Sequence, residues 1–525
     1  MSVRRIFAGL AVTAVSAASL SIAVPAHADP AAGYVPQASD IIGVGSDTSE
    51  HALNYLAEGH AGQTGWNATG AANKLVSWNA KAPQGAAATI NLPGNAAATR
   101  PNGSGNGMKT LYGATEVADI DFARSSSALG VAEKSAGLQA FPFAKDSLAM
   151  ATAKSSNAPA TLTVADVVKI YDGTYTNWSQ LSGTSGVIKP LIPQSGSGTR
   201  SFFLAQLKAA NGGNDVVLAG SVVEVQEHDA GPVQNDANAV APFSVGRNDV
   251  IGAPLRIEGG FSAARALYNV VRQADVAKPE LTAVFGKDGF VCSPEAKGLI
   301  EAAGFDQLAT PTAGGVCGVP TQDATTNLTT AQVLATTTTL TAASAQAGQV
   351  DLSATITAGE ATPSGTVRFY LNGSATAATA PVPLTGGVAT AQLNGVAPGE
   401  HTVVAKFTPS LVAYQASESA PVAVTVRATT PAKAKTSLAE SFKASYKKGV
   451  AVRGVVTVKE KAAGTATGKI VVKRGAKVVG TGTLKGGKVT LTLKGLKKGK
   501  NTLTASYAGS TTFVGSKLTF AVTVK

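Results

Sequence analysis

The sequence predicts a multidomain protein, a two-lobed α/β module followed by two all-β sandwiches. Three observations predict it. Residues 40 to about 322 interleave helix-like and strand-like segments, the pattern of an α/β architecture. After Cys317 helix signals vanish, and Thr-rich text from Asp323 to Thr339 leads into alternating apolar and polar runs. The remainder then repeats itself: Gly386-Gly387, Gly395, Gly399, Thr402 and Phe407 recur as Gly486-Gly487, Gly495, Gly499, Thr502 and Tyr507, a constant shift of 100 residues. At 525 residues the chain also exceeds what one ordinary core holds.

Taken in order, residues 1–28 read as an export signal. Arg4 and Arg5 form a positive n-region, Phe7 to Val24 an apolar h-region, and Ala26-His27-Ala28 a cleavage site, so the mature chain is expected to begin at Asp29. No Cys stands near that site to carry a lipid anchor. No later apolar run reaches the roughly 20 residues of a membrane span, and Val522-Thr523-Val524-Lys525 is no sorting tail. A secreted protein, extracellular or held at a cell wall, is expected. Its two cysteines, Cys292 and Cys317, then default to one disulfide.

Within residues 29–322, strands are expected at Val187–Ile192 and Ser221–Val225, and helices at Val164–Ile170 and Glu295–Glu301. Three loops run into apolar, helix-like text: Gly43-Val44-Gly45-Ser46-Asp47-Thr48, Gly103-Ser104-Gly105-Asn106-Gly107-Met108-Lys109 and Pro193-Gln194-Ser195-Gly196-Ser197-Gly198-Thr199-Arg200. Each is an anion cradle in outline. Small residues let backbone N–H groups approach an oxyanion, hydroxyls add donors, and a helix starting at Thr199 or Arg200 aims its positive end at the same point. A P-loop is excluded because Met108 stands where its second glycine should meet the Lys. The candidate donors are the hydroxyls of Ser46, Thr48, Ser104, Ser125, Ser126, Ser197 and Thr199, and the backbone N–H groups of Gly105, Asn106, Gly198 and Thr199.

Catalysis and metal binding find no support. These loops contain no Gly-x-Ser-x-Gly elbow, no motif sets a His beside a Ser, and the five His have no ligand spacing. Glu224, Glu227, His228 and Asp229 read as a solvated turn. No enzyme, cofactor or metal site is expected.

The repeat places immunoglobulin-like sandwiches at 331–427 and 434–525, each closing on Ala-Val-Thr-Val and joined by the stretch from Ala428 to Lys435. Charge divides them from the rest. The formal net charge is +12, yet residues 431–525 hold 20 Lys/Arg against Glu440 and Glu460, leaving 24 basic and 30 acidic residues before them. Lys494, Lys497, Lys498 and Lys500 cluster, which suits an anionic wall polymer. With few aromatics to stack on bases, nucleic acid is not the expected partner.

The N-terminal module resembles the phosphate-binding, periplasmic-binding-protein-like (type II) solute-binding proteins that serve ABC transporters. Five motifs carry the resemblance: Gly43 to Thr48, Gly103 to Lys109, Asp121-Phe122-Ala123-Arg124-Ser125-Ser126-Ser127-Ala128-Leu129, Ile170-Tyr171-Asp172-Gly173-Thr174-Tyr175-Thr176-Asn177-Trp178, and Gly196-Ser197-Gly198-Thr199. The tail is similar to bacterial immunoglobulin-like repeats. The resemblance implies capture of phosphate or a similar oxyanion between two lobes by hinge closure, with an ABC permease as a partner. Ser46, Asp47, Thr48, Ser104, Gly105, Asn106, Ser125, Ser126, Ser197, Gly198 and Thr199 would be the ligand set. Two positions depart from it. Ser126 replaces the acidic residue that accepts the proton of hydrogen phosphate, and Pro193 replaces an Arg, so Arg124 and Arg200 are expected to supply guanidinium contacts. The alternative is a structural or adhesive cell-wall or matrix protein with a degenerate lobe.

Overall fold

The computed structural model describes residues 29–30, 34–83, 87–428, 432–460 and 464–525. The export signal expected at 1–28 lies outside the described residues. Among the described residues, no helix is long and apolar enough to cross a membrane.

Two long antiparallel strands, Gln139–Ala153 and Leu255–Val271, form the spine of a ten-stranded sheet. On one side of the pair lie Phe122–Ser125, Ile41–Gly45 and Leu75–Ser77; on the other, Ala239–Ser244, Lys189–Pro193 and Val223–Val225. At 15 and 17 residues, each long strand extends about 50 Å at roughly 3.3 Å per residue. They therefore run through both halves of the module. Register shifts between Ile257 and Ser262 and between Leu267 and Tyr268 bend the second strand along its length.

The halves have separate cores. Ile41, Phe122, Phe141 and Phe285 belong to one cluster, while Leu148, Trp178, Phe203 and Phe261 belong to another. Helices cover both, and local chemistry starts them. Thr163 caps Val164–Tyr171 through a capping box with Asp166. Ser197 caps Gly198–Ala210 by accepting from the Arg200 N–H. Pro294 opens Pro294–Ala302. The expected strands at 187–192 and 221–225 form as Lys189–Pro193 and Val223–Val225. Cys292 and Cys317 are bonded, with Cα atoms 5.8 Å apart.

Beyond the module every strand is antiparallel or short. Thr337–Ala343, Gln349–Thr357 and Val388–Asn394 form a three-stranded sheet, opposed by a five-stranded one built on Gly365–Leu371 and Gly399–Pro409. The plan recurs C-terminally. Thr436–Glu440, Val452–Glu460 and Lys488–Leu493 form three strands, opposed by five built on Lys469–Arg474, Gly499–Gly509 and Val514–Val524.

Candidate functional site

The loop after Ile41–Gly45, the 103–107 turn, the end of Phe122–Ser125 and the start of Gly198–Ala210 meet between the two cores. Backbone meets backbone there. Gly105 N–H donates to the Gly196 carbonyl at 2.9 Å, and a side chain at Gly103 would stand 2.5 Å from that same carbonyl. Gly45, at φ 113°, has the Arg124 carbonyl 2.6 Å from where a Cβ would sit. Glycine is required at both positions because any Cβ would displace main chain.

Packing brings five of the expected site residues together. Gly198 lies directly against the hydroxyls of Ser104 and Ser126, which are themselves 3.4 Å apart. Thr48 Oγ1 lies 3.3 Å from Thr199 Oγ1, linking the two halves. Ser46, Thr48, Ser104, Ser126 and Thr199 are all completely buried.

A PBP superfamily domain matches residues 31–390, more than half the chain. The chain belongs to the PBP superfamily. A bacterial Ig-like domain (group 3) matches residues 439–525. The PBP match thus runs on into the first sandwich and ends within Val388–Asn394. Comparison with curated proteins gave no match. Similar solved structures include a candidate phosphate ABC transporter substrate-binding protein with bound phosphate from Clostridium perfringens, at 18% identity over 51% of this chain and 99% of that one, TM-score 0.40. An ABC-type phosphate transport receptor from Vibrio cholerae has 19% identity over 51% and 99%, TM-score 0.36. Fibronectin(III)-like modules of Clostridium thermocellum CbhA have 18% identity over 35% and 94%, TM-score 0.15.

Other expected ligands of this PBP module bond protein groups instead, both substitute arginines among them. Arg124 donates to the carbonyls of Ser46 at 3.0 Å and Trp78 at 2.7 Å and to the Ser77 hydroxyl. It is a buried clamp on backbone. Arg200 turns back to the Pro193 carbonyl and Glu224. Ser125 spends its hydroxyl on the Ser127 carbonyl at 2.7 Å, Ser197 caps its own helix, and the side-chain amide of Asn106, whose backbone N–H is the expected donor, bonds the Asn102 carbonyl at 2.8 Å. Asp47 faces Arg247 at 3.9 Å.

Sequence reasoning missed four groups. Glu227 and His228, read as a solvated turn, are buried inside the site. Glu227 Oε1 accepts from the Thr48 hydroxyl at 2.9 Å and from the Thr199 N–H at 3.3 Å, in the first turn of the helix, and Glu227 Oε2 has no protein partner. His228 Nε2 lies 3.0 Å from Thr48 Oγ1. Arg265 is the third: it donates to Thr199 Oγ1 at 2.9 Å and to the Ser126 carbonyl at 3.1 Å, anchored on Asp146 at 2.7 Å. Arg247, the fourth, lies 3.6 Å from Glu50 and leaves Nε and Nη1 without a protein partner. A signal for Arg265 existed in the sequence. Arg265 and Asp146 are opposite charges set among apolar strand residues, and they prove to be register partners.

The cluster is electrostatically tense. Burial, then Glu50, holds the Asp47 carboxyl well above its usual range, and burial likewise raises Glu50. Burial, then Arg247 and Arg265, keeps His228 well below its ordinary value and so neutral. Such a site offers hydroxyl and guanidinium donors beside two carboxyl groups, Asp47 and Glu227, each with an oxygen that no protein group hydrogen-bonds. It can hold an oxygen-rich anion that also has a hydrogen to donate.

Proposed function

We propose that this protein is a secreted solute-binding protein that captures phosphate or a similar small oxyanion in the cleft of a module spanning 29–322. One observation carries the reading: hydroxyls from both halves, the first turn of Gly198–Ala210 and the Arg265 guanidinium converge at a single buried point. The paired long strands supply a hinge on which the halves part and close. In this reading Glu227 replaces the acid missing at Ser126. Its unpartnered Oε2 accepts the hydrogen of a protonated oxyanion and repels one without a hydrogen. The sandwiches at 331–427 and 434–525 carry no part of the cleft, and the basic second one retains the protein at the cell wall.

Calorimetric titration of ligand-stripped protein with phosphate and then sulfate tests this. Micromolar or tighter phosphate binding with sulfate refused is the expected result. Silence toward both anions, from folded protein, would overturn it and favour a structural wall component. Wall retention is tested separately by deleting residues 431–525, which should release the protein while leaving anion affinity unchanged.

A further inference from the structure

The basic charge of the C-terminal sandwich is concentrated at one end. The loop before Gly499–Gly509 carries Lys494, Lys497, Lys498 and Lys500. The Arg474–Lys477 hairpin packs beside it: Lys494 N–H donates to the Val479 carbonyl at 2.7 Å, and Arg474 donates to Asn501 at 3.1 Å. Lys447 and Lys448 reach the same end because Tyr446 pairs with Val524, which itself pairs with Gly499. Arg453 and Lys525 complete it, through the Tyr446 hydroxyl bonded to the Arg453 carbonyl and the Lys525 N–H bonded to the Tyr446 carbonyl. All but Arg474 are exposed. The domain's two acidic side chains lie elsewhere and accept backbone N–H groups, Glu440 from Phe442 and Glu460 from Ala466. Among the described residues, none of these cations has an ion-pair partner.

The first sandwich is an internal control for what the fold itself needs. Its equivalent loop, Asn394 to Glu400, has Asn, Ala, Pro and Glu where the second has four lysines. Both loops turn at a glycine of the same conformation, Gly395 at φ 73° and Gly495 at φ 72°. Both are closed by the residue after the turn, His401 against the Ala397 carbonyl at 2.8 Å and Asn501 against the Lys497 carbonyl at 2.7 Å. The backbone forms without the lysines, so folding does not explain them. Over the whole repeat the first sandwich has three Lys/Arg against four Asp/Glu, and the second has 19 against two.

We propose that this end of the C-terminal sandwich is a binding site for linear phosphate polymers, chains with one anionic phosphate per repeat and no bases. Charge complementarity selects a polyanion. Lysine dominates, giving mobile point charges suited to regularly spaced phosphates rather than the fork that reads a planar group. No exposed aromatic stands there to stack on a base: Tyr446 is buried, and Phe442 and Phe520 stack on each other. This deepens the retention reading and rests on it, independently of the cleft.

The test is binding of the full chain to immobilised poly(glycerol phosphate) and to long-chain inorganic polyphosphate across a salt series. Two variants each lose four charges. One takes Lys494→Asn, Lys497→Ala, Lys498→Pro and Lys500→Gln; the other changes Lys459, Lys469, Lys485 and Lys488, at the opposite end, to Asn. The first is expected to bind at least about tenfold more weakly, with the log–log salt slope reduced by about 3, and the second to stay within about threefold of wild type. The polymer bound more tightly identifies the source. Equal losses in both variants, or tighter binding to single-stranded DNA of the same phosphate count, would overturn the proposal. If deletion of 431–525 frees the protein from walls but the four-lysine loop variant does not, this end fails as the site while retention stands. If the deletion frees nothing, retention itself fails.

Discussion

Replacing Glu227 by Gln should exchange the anion preference of the cleft. The substitution is nearly isosteric. The amide oxygen can keep the Thr48 hydroxyl and the Thr199 N–H now held by Oε1, at 2.9 and 3.3 Å, while the unpartnered Oε2 becomes an NH2 donor. Hydrogen phosphate loses one charge-assisted hydrogen bond of about 1.5–3 kcal/mol, or roughly 10- to 150-fold in affinity. Sulfate has no hydrogen to offer and gains in the variant. Two like unit charges about 4 Å apart repel by about 4 kcal/mol at an effective dielectric constant of about 20, and the amide removes that term. Hydrogen phosphate is a dianion like sulfate, so that relief is largely common to both, and the phosphate-to-sulfate ratio should fall by roughly the 10- to 150-fold of the lost hydrogen bond. Calorimetry with both anions on wild type and variant reads it directly, with thermal unfolding as the control for the fold. If both affinities shift by the same factor and the ratio holds, Glu227 does not sense the hydrogen and the reasoning fails.

Three further outcomes follow from the same geometry. Arg124→Met should lower stability in urea by about 3–5 kcal/mol, because a buried guanidinium whose pKa burial has already lowered to about 10 is removed from Glu50 and Asp47; weaker anion binding at undiminished stability would return Arg124 to the ligand set. Reducing the Cys292–Cys317 bond, whose partners are 25 residues apart, should cost about 3 kcal/mol, seen as a lower denaturation midpoint with reductant and absent in the double Ser variant. Asp121 is pushed up to about 6 by burial from a reference of 3.8, so its contribution is fully present below 3.8 and is lost as pH rises through 6. Asp121→Asn should accordingly gain about 1–3 kcal/mol at pH 7.5 and nothing near pH 3.5, measured by denaturation at both values; an equal gain at both would exclude the ionisation as cause.

Elements whose cause is local were legible in the sequence. The Thr163 and Asp166 box and the Ser197 cap are single-turn chemistry, and both helices start where that chemistry places them. The sandwich repeat was legible because turn glycines need positive φ wherever the turn recurs. The cleft was only partly legible. Hydroxyl-bearing loops announced themselves, but which side chain enters the cleft depends on strand phase. A strand's period of two puts Arg124 on the face of Phe122, among the carbonyls of the Gly45 turn, and leaves Ser126 beyond the strand end to face Gly198. Glu227 was beyond local reasoning. Gln226-Glu227-His228-Asp229 has the composition of a solvated turn, and only the approach of Thr48, far away in sequence, buries it.

Charge balance links the proposed ligand to protons. Four carboxylates, Asp47, Glu50, Asp146 and Glu227, share the interior with three guanidiniums, Arg124, Arg247 and Arg265. Since burial and Glu50 hold Asp47 well above its usual range, one retained proton there brings the cluster near neutrality. His228 cannot supply further positive charge, because burial and both neighbouring arginines keep it neutral. An anion entering this interior adds charge that no cation stands free to meet, apart from the unpartnered Nε and Nη1 donors of Arg247. The cluster therefore favours a ligand that brings its own hydrogen, and a carboxylate oxygen without a partner is the group that would receive it. The same arithmetic explains why a guanidinium at Arg124 can be spent on backbone: with Arg265 and Arg247 facing the cleft, a third would leave the buried acids on its own side unmatched.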